Sequence, residues 1–204
     1  MAEPRAFEAV EFEVVGEIPM VELEEQLRNV TLRKSSVRPY ENATFAVRYF
    51  TYEEAAPMSL FVTTEQMDRH RRIGANLLAQ GQPTQLNMVR GLILEGGPKG
   101  RQGLIPPIVE TFEPEDITYV IDGSHRTNGG RWAGIEGFVA VHITGIRPDC
   151  PPYAFPNTWE EVRELPEKPD DPSIMKNYRE PDHPYRLYRD FEPINGSTPR
   201  VEGQ

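Results

Sequence analysis

Apolar residues recur along the chain with two different periods, and the places where the period changes mark the expected elements. Val10-Glu11-Phe12-Glu13-Val14 alternates apolar and acidic positions, as a strand with one wet face does. Thr44 to Phe50 reads as a second strand. A helix is expected to begin at Thr63, where Thr63-Thr64-Glu65-Gln66 forms a capping box; Met67, Ile73, Leu77 and Leu78 supply its apolar side, and Gly81 and Pro83 stop it. Leu86, Val89 and Ile93 fit a further short helix, ended by Gly96-Gly97-Pro98-Lys99-Gly100. That turn has neither the following Ser or Thr nor the spacing of a Walker loop, so it is expected to be a hairpin or lid. Ile105 to Phe112 follows as a strand entered through Pro106-Pro107, which cannot donate to a ladder and must stand at its start or edge.

The pattern continues with Tyr119-Val120-Ile121, a short apolar strand that runs into Asp122-Gly123 and a helix start. Thr127 to Ile135 is expected to be helical, although Gly129, Gly130 and Gly134 each weaken it by about 1 kcal/mol relative to Ala. Trp132 is assigned to the core. Phe138-Val139-Ala140-Val141-His142-Ile143 is almost continuously apolar, as a buried central strand is, with His142 a satisfied core or edge histidine. Beyond Asp149 prolines punctuate the chain, leaving room for one short helix at Thr158-Trp159-Glu160-Glu161-Val162. Tyr153, Phe155, Trp159, Tyr178, Tyr185, Tyr188 and Phe191 are too many aromatic groups for a disordered tail, so an ordered wrap over the core is expected. Its Arg179, Arg186 and Arg189 are either solvated or turned to a phosphate. The expected fold is α+β, a small mixed sheet with helices, divided into an N-terminal strand segment (1–26), a central domain (27–148) and a Pro- and aromatic-rich extension (149–204).

Composition narrows the function. The 204 residues carry 32 acidic against 22 basic side chains, a net charge of −10, whereas DNA-binding domains present a basic stripe to phosphate. Nucleic acid is therefore a disfavoured partner. The local exception is Arg69-His70-Arg71-Arg72, read either as a solvated helix face or as a contact to an acidic ligand or nucleic acid. Cys150 is the only cysteine and cannot form an internal disulfide. No apolar run has bilayer length and Met1 to Arg5 does not open a signal peptide, so a cytoplasmic location without a membrane partner is expected.

Candidate chemistry concentrates where the strand ending at Ile121 meets the helix after it. First-turn amides of a helix lack intrahelical partners and lie at the positive end of its dipole, so they attract an anion before any side chain contributes. His125 and Arg126 would add charge-assisted donors, the planar guanidinium matching phosphate oxygens; the alternative is an ordinary turn in which Asp122 and Ser124 compete as caps and Arg126 is solvated. Asp122 beside them is read evenly as a ligand for Mg²⁺ or as a turn residue bonded to its own backbone.

Three boxes in order, Val37-Arg38-Pro39-Tyr40-Glu41-Asn42, Gly103-Leu104-Ile105-Pro106-Pro107-Ile108 and Asp122-Gly123-Ser124-His125-Arg126, resemble the ParB/sulfiredoxin superfamily over roughly 27–148. The resemblance implies that Gly123, Ser124, His125, Arg126 and Thr127 hold nucleotide phosphates, ATP or another nucleotide with Mg²⁺ on Asp122. Sulfiredoxin has a catalytic Cys where this chain has Ser124, so thiol chemistry is not implied. Free serine kinases look closer, and their early acidic base matches Glu41. Together these imply a phosphotransferase or nucleotide hydrolase acting on a small hydroxylated acceptor, with Glu41, Asp122 and His125 as catalytic groups. The competing class is a partition-like or phage accessory protein that uses nucleotide as a switch or touches DNA through Arg69 to Arg72.

Overall fold

The structure is a computed structural model, and it describes residues 12–96, 100–183 and 185–195. In chain order the elements are β1 (Glu13–Ile18), α1 (Met20–Arg28), β2 (Thr44–Thr51), β3 (Ala56–Pro57), β4 (Phe61–Thr63), α2 (Thr64–Ala79), β5 (Gly91–Glu95) and β6 (Gln102–Leu104). The second half contributes β7 (Ile108–Phe112), β8 (Ile117–Asp122), α3 (Ser124–Trp132), β9 (Gly137–Thr144), β10 (Ala154–Phe155), β11 (Arg163–Leu165), α4 (Pro172–Met175), β12 (Asn177–Tyr178) and α5 (Glu192–Asn195). The fold is α+β, as the pattern predicts.

The principal sheet has five strands in the order β2-β9-β7-β8-β3. The continuous apolar run of β9 is explained by its place: β2 pairs antiparallel along one side and β7 parallel along the other. Both of its faces are covered. Ile108, Tyr119, Val141 and Ile143 enter the main core on one face, while Phe50, Val109, Val120, Phe138 and Trp159 build a second cluster on the other. The hairpin from β7 to β8 is closed by a 3-10 turn and by Asp116, which takes a left-handed backbone (φ 52°). A separate sheet, β1-β5-β6, packs Leu92 and Leu94 against Ile73 and Leu77 of α2.

Four expectations need correction. The segment containing Leu86, Val89 and Ile93 is no helix: its ordered part is β5, paired with β1 on one side and β6 on the other. The three residues match a helical spacing, but alternation at Leu92 and Leu94 buries more once two strands flank them, leaving Val89 half-exposed. The hairpin expected around Gly96 is borne out by the antiparallel pairing of β5 with β6; residues 97–99 lie outside the described residues. Helix α3 starts three residues earlier than Thr127, directly after Gly123. Trp132, expected in the core, is 38 % exposed at the end of α3, whereas Trp159 is buried and its indole N–H donates to Tyr52 O and Ala55 O at 2.7 and 3.0 Å. Finally, Thr158 to Val162 closes its capping box without forming a helix. Thr158 N and Oγ1 both donate to Glu161 Oε2 at 2.7 and 3.1 Å, and the chain is then drawn into parallel pairing of β11 with β4.

Other readings hold. Thr63 caps α2 by accepting from Gln66 N at 3.4 Å, and Gly81 beyond its end takes φ +70°. The first expected strand begins within the described part as Glu13–Ile18; Val10 and Glu11 lie outside it. His142 is a satisfied strand histidine, its Nε2 2.8 Å from Thr111 Oγ1 and its ring edge-on to Phe50. Part of the C-terminal stretch enters the core: Leu187, Phe191 and Ile194 are buried in the main cluster, and Asp190 N donates to Thr31 O at 2.9 Å.

Candidate functional site

The junction of β8 and α3 depends on its backbone. Gly123 takes φ +100°, a left-handed conformation open to glycine, and so turns the strand directly into the helix without a connecting loop. No side chain caps the helix, so the amides of its first turn are left to whatever lies in front of them. A Cβ at Gly123 would stand 2.8 Å from Arg126 Nε and 3.2 Å from Pro107 Cβ. The guanidinium therefore lies directly under the turn.

Arg126 is buried at 7 % exposure and turned inward. Its Nη2 donates to Asp122 Oδ2 at 2.9 Å and its Nη1 to Ile105 O, while its Nε, also buried, has no hydrogen-bond partner. Burial pushes the guanidinium below its usual range and the Asp122 carboxylate opposes that shift. It stays charged. His125 stacks on His70 of α2 with ring centroids 6.2 Å apart. Burial, together with the positive charges of Arg126 and His125, pushes His70 down to about 3, and its Nδ1 lies 3.2 Å from Gln85 Oε1. His70 is thus a neutral prop for the ring of His125.

Two clefts meet at this turn, and both are lined by Asp122, Gly123, Ser124 and His125. The larger, about 630 Å³, runs toward α2 and β5 and adds Arg69, His70 and Arg126 to apolar Ile73, Leu94 and Leu104. The lining joins that apolar wall to charged groups of both signs, Glu65 and Glu167 as well as Arg69, Arg126 and Lys168, and its volume is that of a pocket for a small organic ligand. The smaller, about 260 Å³, runs toward the C-terminal extension and is lined by Arg33, Ser59, Tyr153, Lys176, Tyr188 and Arg189, among others. These residues come from separate segments, so no spacing in the sequence announces them.

Not every predicted residue arrives at the site. Thr127 lines neither cleft: it is fully buried, and its hydroxyl donates to Gly123 O and Ser124 O at 3.1 and 3.2 Å. Glu41 is exposed ahead of edge strand β2, at the end of the sheet where β8 begins, and lines neither cleft. Its neighbour Tyr40 is the buried one, with its hydroxyl donating to Glu110. The run from Arg69 to Arg72 does not form one basic face. Arg71 is exposed and pairs with Asp68 at 2.9 Å, while Arg69 and His70 line the larger cleft.

Of the three arginines singled out above, Arg179 and Arg186 pair with Glu115 and Glu180. Arg189 enters the core. Its Nε and Nη2 grip Glu110 at 3.1 and 2.9 Å, and further donors reach the carbonyls of Cys150, Pro151 and Leu187. Tyr40 and Tyr119 donate to the same carboxylate.

Among the described residues no cluster of three or more His, Cys, Asp or Glu side chains could hold a metal ion. A Mg²⁺ ion here would take Asp122 as its protein ligand and fill its other positions with phosphate oxygens and water, which is a usual mode for that ion. No helix among the described residues is long and apolar enough to cross a membrane. No curated protein matches the chain, and no solved structure does. One family model does, across residues 22–163, a span that takes in the five-stranded sheet, the Gly123 turn and the lining of the larger cleft apart from Pro166, Glu167 and Lys168, and on that match the chain belongs to the ParB CE domain family.

Proposed function

We propose that this chain binds a nucleotide in the larger cleft, with its phosphates against the first turn of α3, and transfers the terminal phosphoryl group to an acceptor hydroxyl or to water. The observation that carries this reading is the junction itself. A tight glycine turn leaves uncapped helix amides facing a cleft, with a buried guanidinium beneath whose Nε is unsatisfied. Arg69 adds a second cation along the cleft, and Ile73, Leu94 and Leu104 offer an apolar wall for a base.

In the proposed reaction the acceptor oxygen bonds to the terminal phosphorus as the bond to the bridging oxygen breaks, and the leaving diphosphate keeps that electron pair. Asp122, on the lining of both clefts, takes the acceptor's proton, and Arg126 holds its carboxylate in place. Phosphoryl transfer rests mostly on positioning and on charge aimed at the transferred group. Amides, His125 and Arg126 on one turn are suited to that.

Thermal unfolding with ATP, ADP and CTP, with and without Mg²⁺, tests the binding claim, because a ligand of the folded state raises Tm by mass action. A rise of several degrees with one nucleotide is expected. No response to any of them overturns the reading. Given binding, Asp122→Asn is expected to abolish product formation while keeping affinity for the Mg²⁺-free nucleotide within a few-fold; binding without turnover in the wild type would mark a nucleotide switch instead of an enzyme.

A further inference from the structure

We infer that β2 pairs with β2 of a second copy of this chain, antiparallel about a two-fold axis through Val47, so that the two five-stranded sheets become one. β2 is an outer strand of its sheet, with β9 on one side only. It runs in unbroken register with β9 from Thr44 to Thr51, without Pro, Gly or Lys. Residues 46–49 are exposed in succession. A strand covered on one face alternates between buried and exposed, so this stretch is open on both faces and along its free edge. Such an edge presents a row of N–H and C=O groups that an extended strand can complete. The other outer strands of the two larger sheets are guarded. β3 is two residues long and ends in Pro57. β1 is broken by a bulge between Val14 and Gly16 and carries Glu13 and Glu17. β6 is three residues long, and Ile194 O of α5 stands 2.5 Å from where a Cβ on Gly103 would be. β2 has none of these devices.

What selects a second copy as the occupant is that β2 fits itself. A two-fold axis perpendicular to the sheet keeps each face on its own side, so the axis must pass through a residue and opposed residues share a face. Two registers overlap seven residues, one centred on Val47 (44–50) and one on Arg48 (45–51). The second sets Arg48 against Arg48, and like charges directly opposite repel. The first sets Val47 against Val47, Phe45 against Tyr49 and Arg48 against the small Ala46, pairs of the apolar and aromatic kinds that stabilise sheets. Val47 and Tyr49 are 37 % and 50 % exposed and lie on the face of Phe45, opposite Val141 and Val139 of β9, so the pairing covers apolar surface as well as backbone. The net charge of −10 opposes association, but no acidic side chain occurs between Glu41 and Glu53. Arg48, the one charge on the strand, is already engaged with Glu54 and lies over the ring of Phe50 at 4.5 Å. No residue of β2 lines either cleft, so the inference stands apart from the nucleotide reading.

Sedimentation equilibrium of the full chain tests the inference. An interface of one strand pair is small, so a monomer–dimer equilibrium is expected within about 1–100 µM. Val47→Lys and Val47→Glu each place like charges across the axis, and each alone is expected to sediment as a monomer with a Tm close to that of wild type. Mixed in equal amounts, the two variants should dimerise again, because unlike charges then face one another. Val47→Cys should link to its own copy through a short bismaleimide, whereas Thr44→Cys should not, since in this register its two copies stand about 20 Å apart along the strands. The native Cys150 is buried, and the wild type serves as its control. A wild type that is monomeric throughout that range overturns the inference. So does a dimer that survives both charged variants, or a cross-link at position 44 as efficient as that at 47.

Discussion

At the scale of single residues, Gly123 and His70 govern the turn. Gly123→Ala forces a left-handed backbone on a residue with a Cβ and drives that atom into Arg126 and Pro107. The backbone cost alone is about 1–2 kcal/mol, so the urea midpoint is expected to fall and nucleotide binding with it. His70 is held near 3 in the folded protein against its ordinary value of 6.5. The unfolded chain thus binds one more proton than the folded one between those values. The stability from keeping His70 neutral is complete above pH 6.5 and is lost progressively as pH falls toward 3. Melting curves at pH 7, 6 and 5 are expected to show this decline, with a shallower slope in His70→Gln. Glu41 was legible as a candidate only through the motif around it, and its position at the far end of the sheet gives Glu41→Gln a turnover within about twofold of wild type by the loss arithmetic of a group outside the site. Abolished turnover in that variant would return the carboxylate to the reaction.

At the scale of elements, local chemistry was the readable part. Thr63 caps α2 as its box predicts, and Thr63→Ala is expected to cost about 0.5–1 kcal/mol by chemical denaturation, the low end because the bond is 3.4 Å long. Apolar continuity marked β9 as central and the Asp122-Gly123 pair marked the strand-to-helix turn. Periodicity failed where the chain was short and its partners distant. Leu86, Val89 and Ile93 satisfied a helical spacing, yet backbone groups between β1 and β6 are paired only if that stretch is extended. Thr158 to Val162 offered a capping box, but a box is also a turn when the following residues are claimed by β4.

At the scale of the molecule, the C-terminal extension is fastened by one ion pair within the core. Arg189 and Glu110 are both fully buried at the side chain, and two tyrosine hydroxyls complete the carboxylate's partners. Burial, followed by the charge of Glu110, pushes the phenols of Tyr40 and Tyr119 well above their ordinary range, so both remain donors. Removing one partner strands a buried charge, and Arg189→Met is expected to cost about 3–5 kcal/mol in a denaturant titration. The double variant Glu110→Gln with Arg189→Met should recover part of that loss, because the stranded carboxylate has gone. Tyr188, Asp190, Phe191 and Glu192 wall the smaller cleft, so the same loss at Arg189 is expected to open it.

The amino-acid sequence by itself determined the α+β class, the central strand, the capped helix α2 and the turn at Gly123, because each depends on neighbours within a few residues: an apolar run, a capping hydroxyl, a glycine where no Cβ fits. Only tertiary structure decided that Arg126 turns under that turn instead of outward, that His70 props His125, that Glu41 stands apart, and that Lys176 joins Asp122 across one cleft. Those juxtapositions join residues far apart in the chain, and what fixes them is the shared cost of burying charge and unpaired backbone, which no local pattern records.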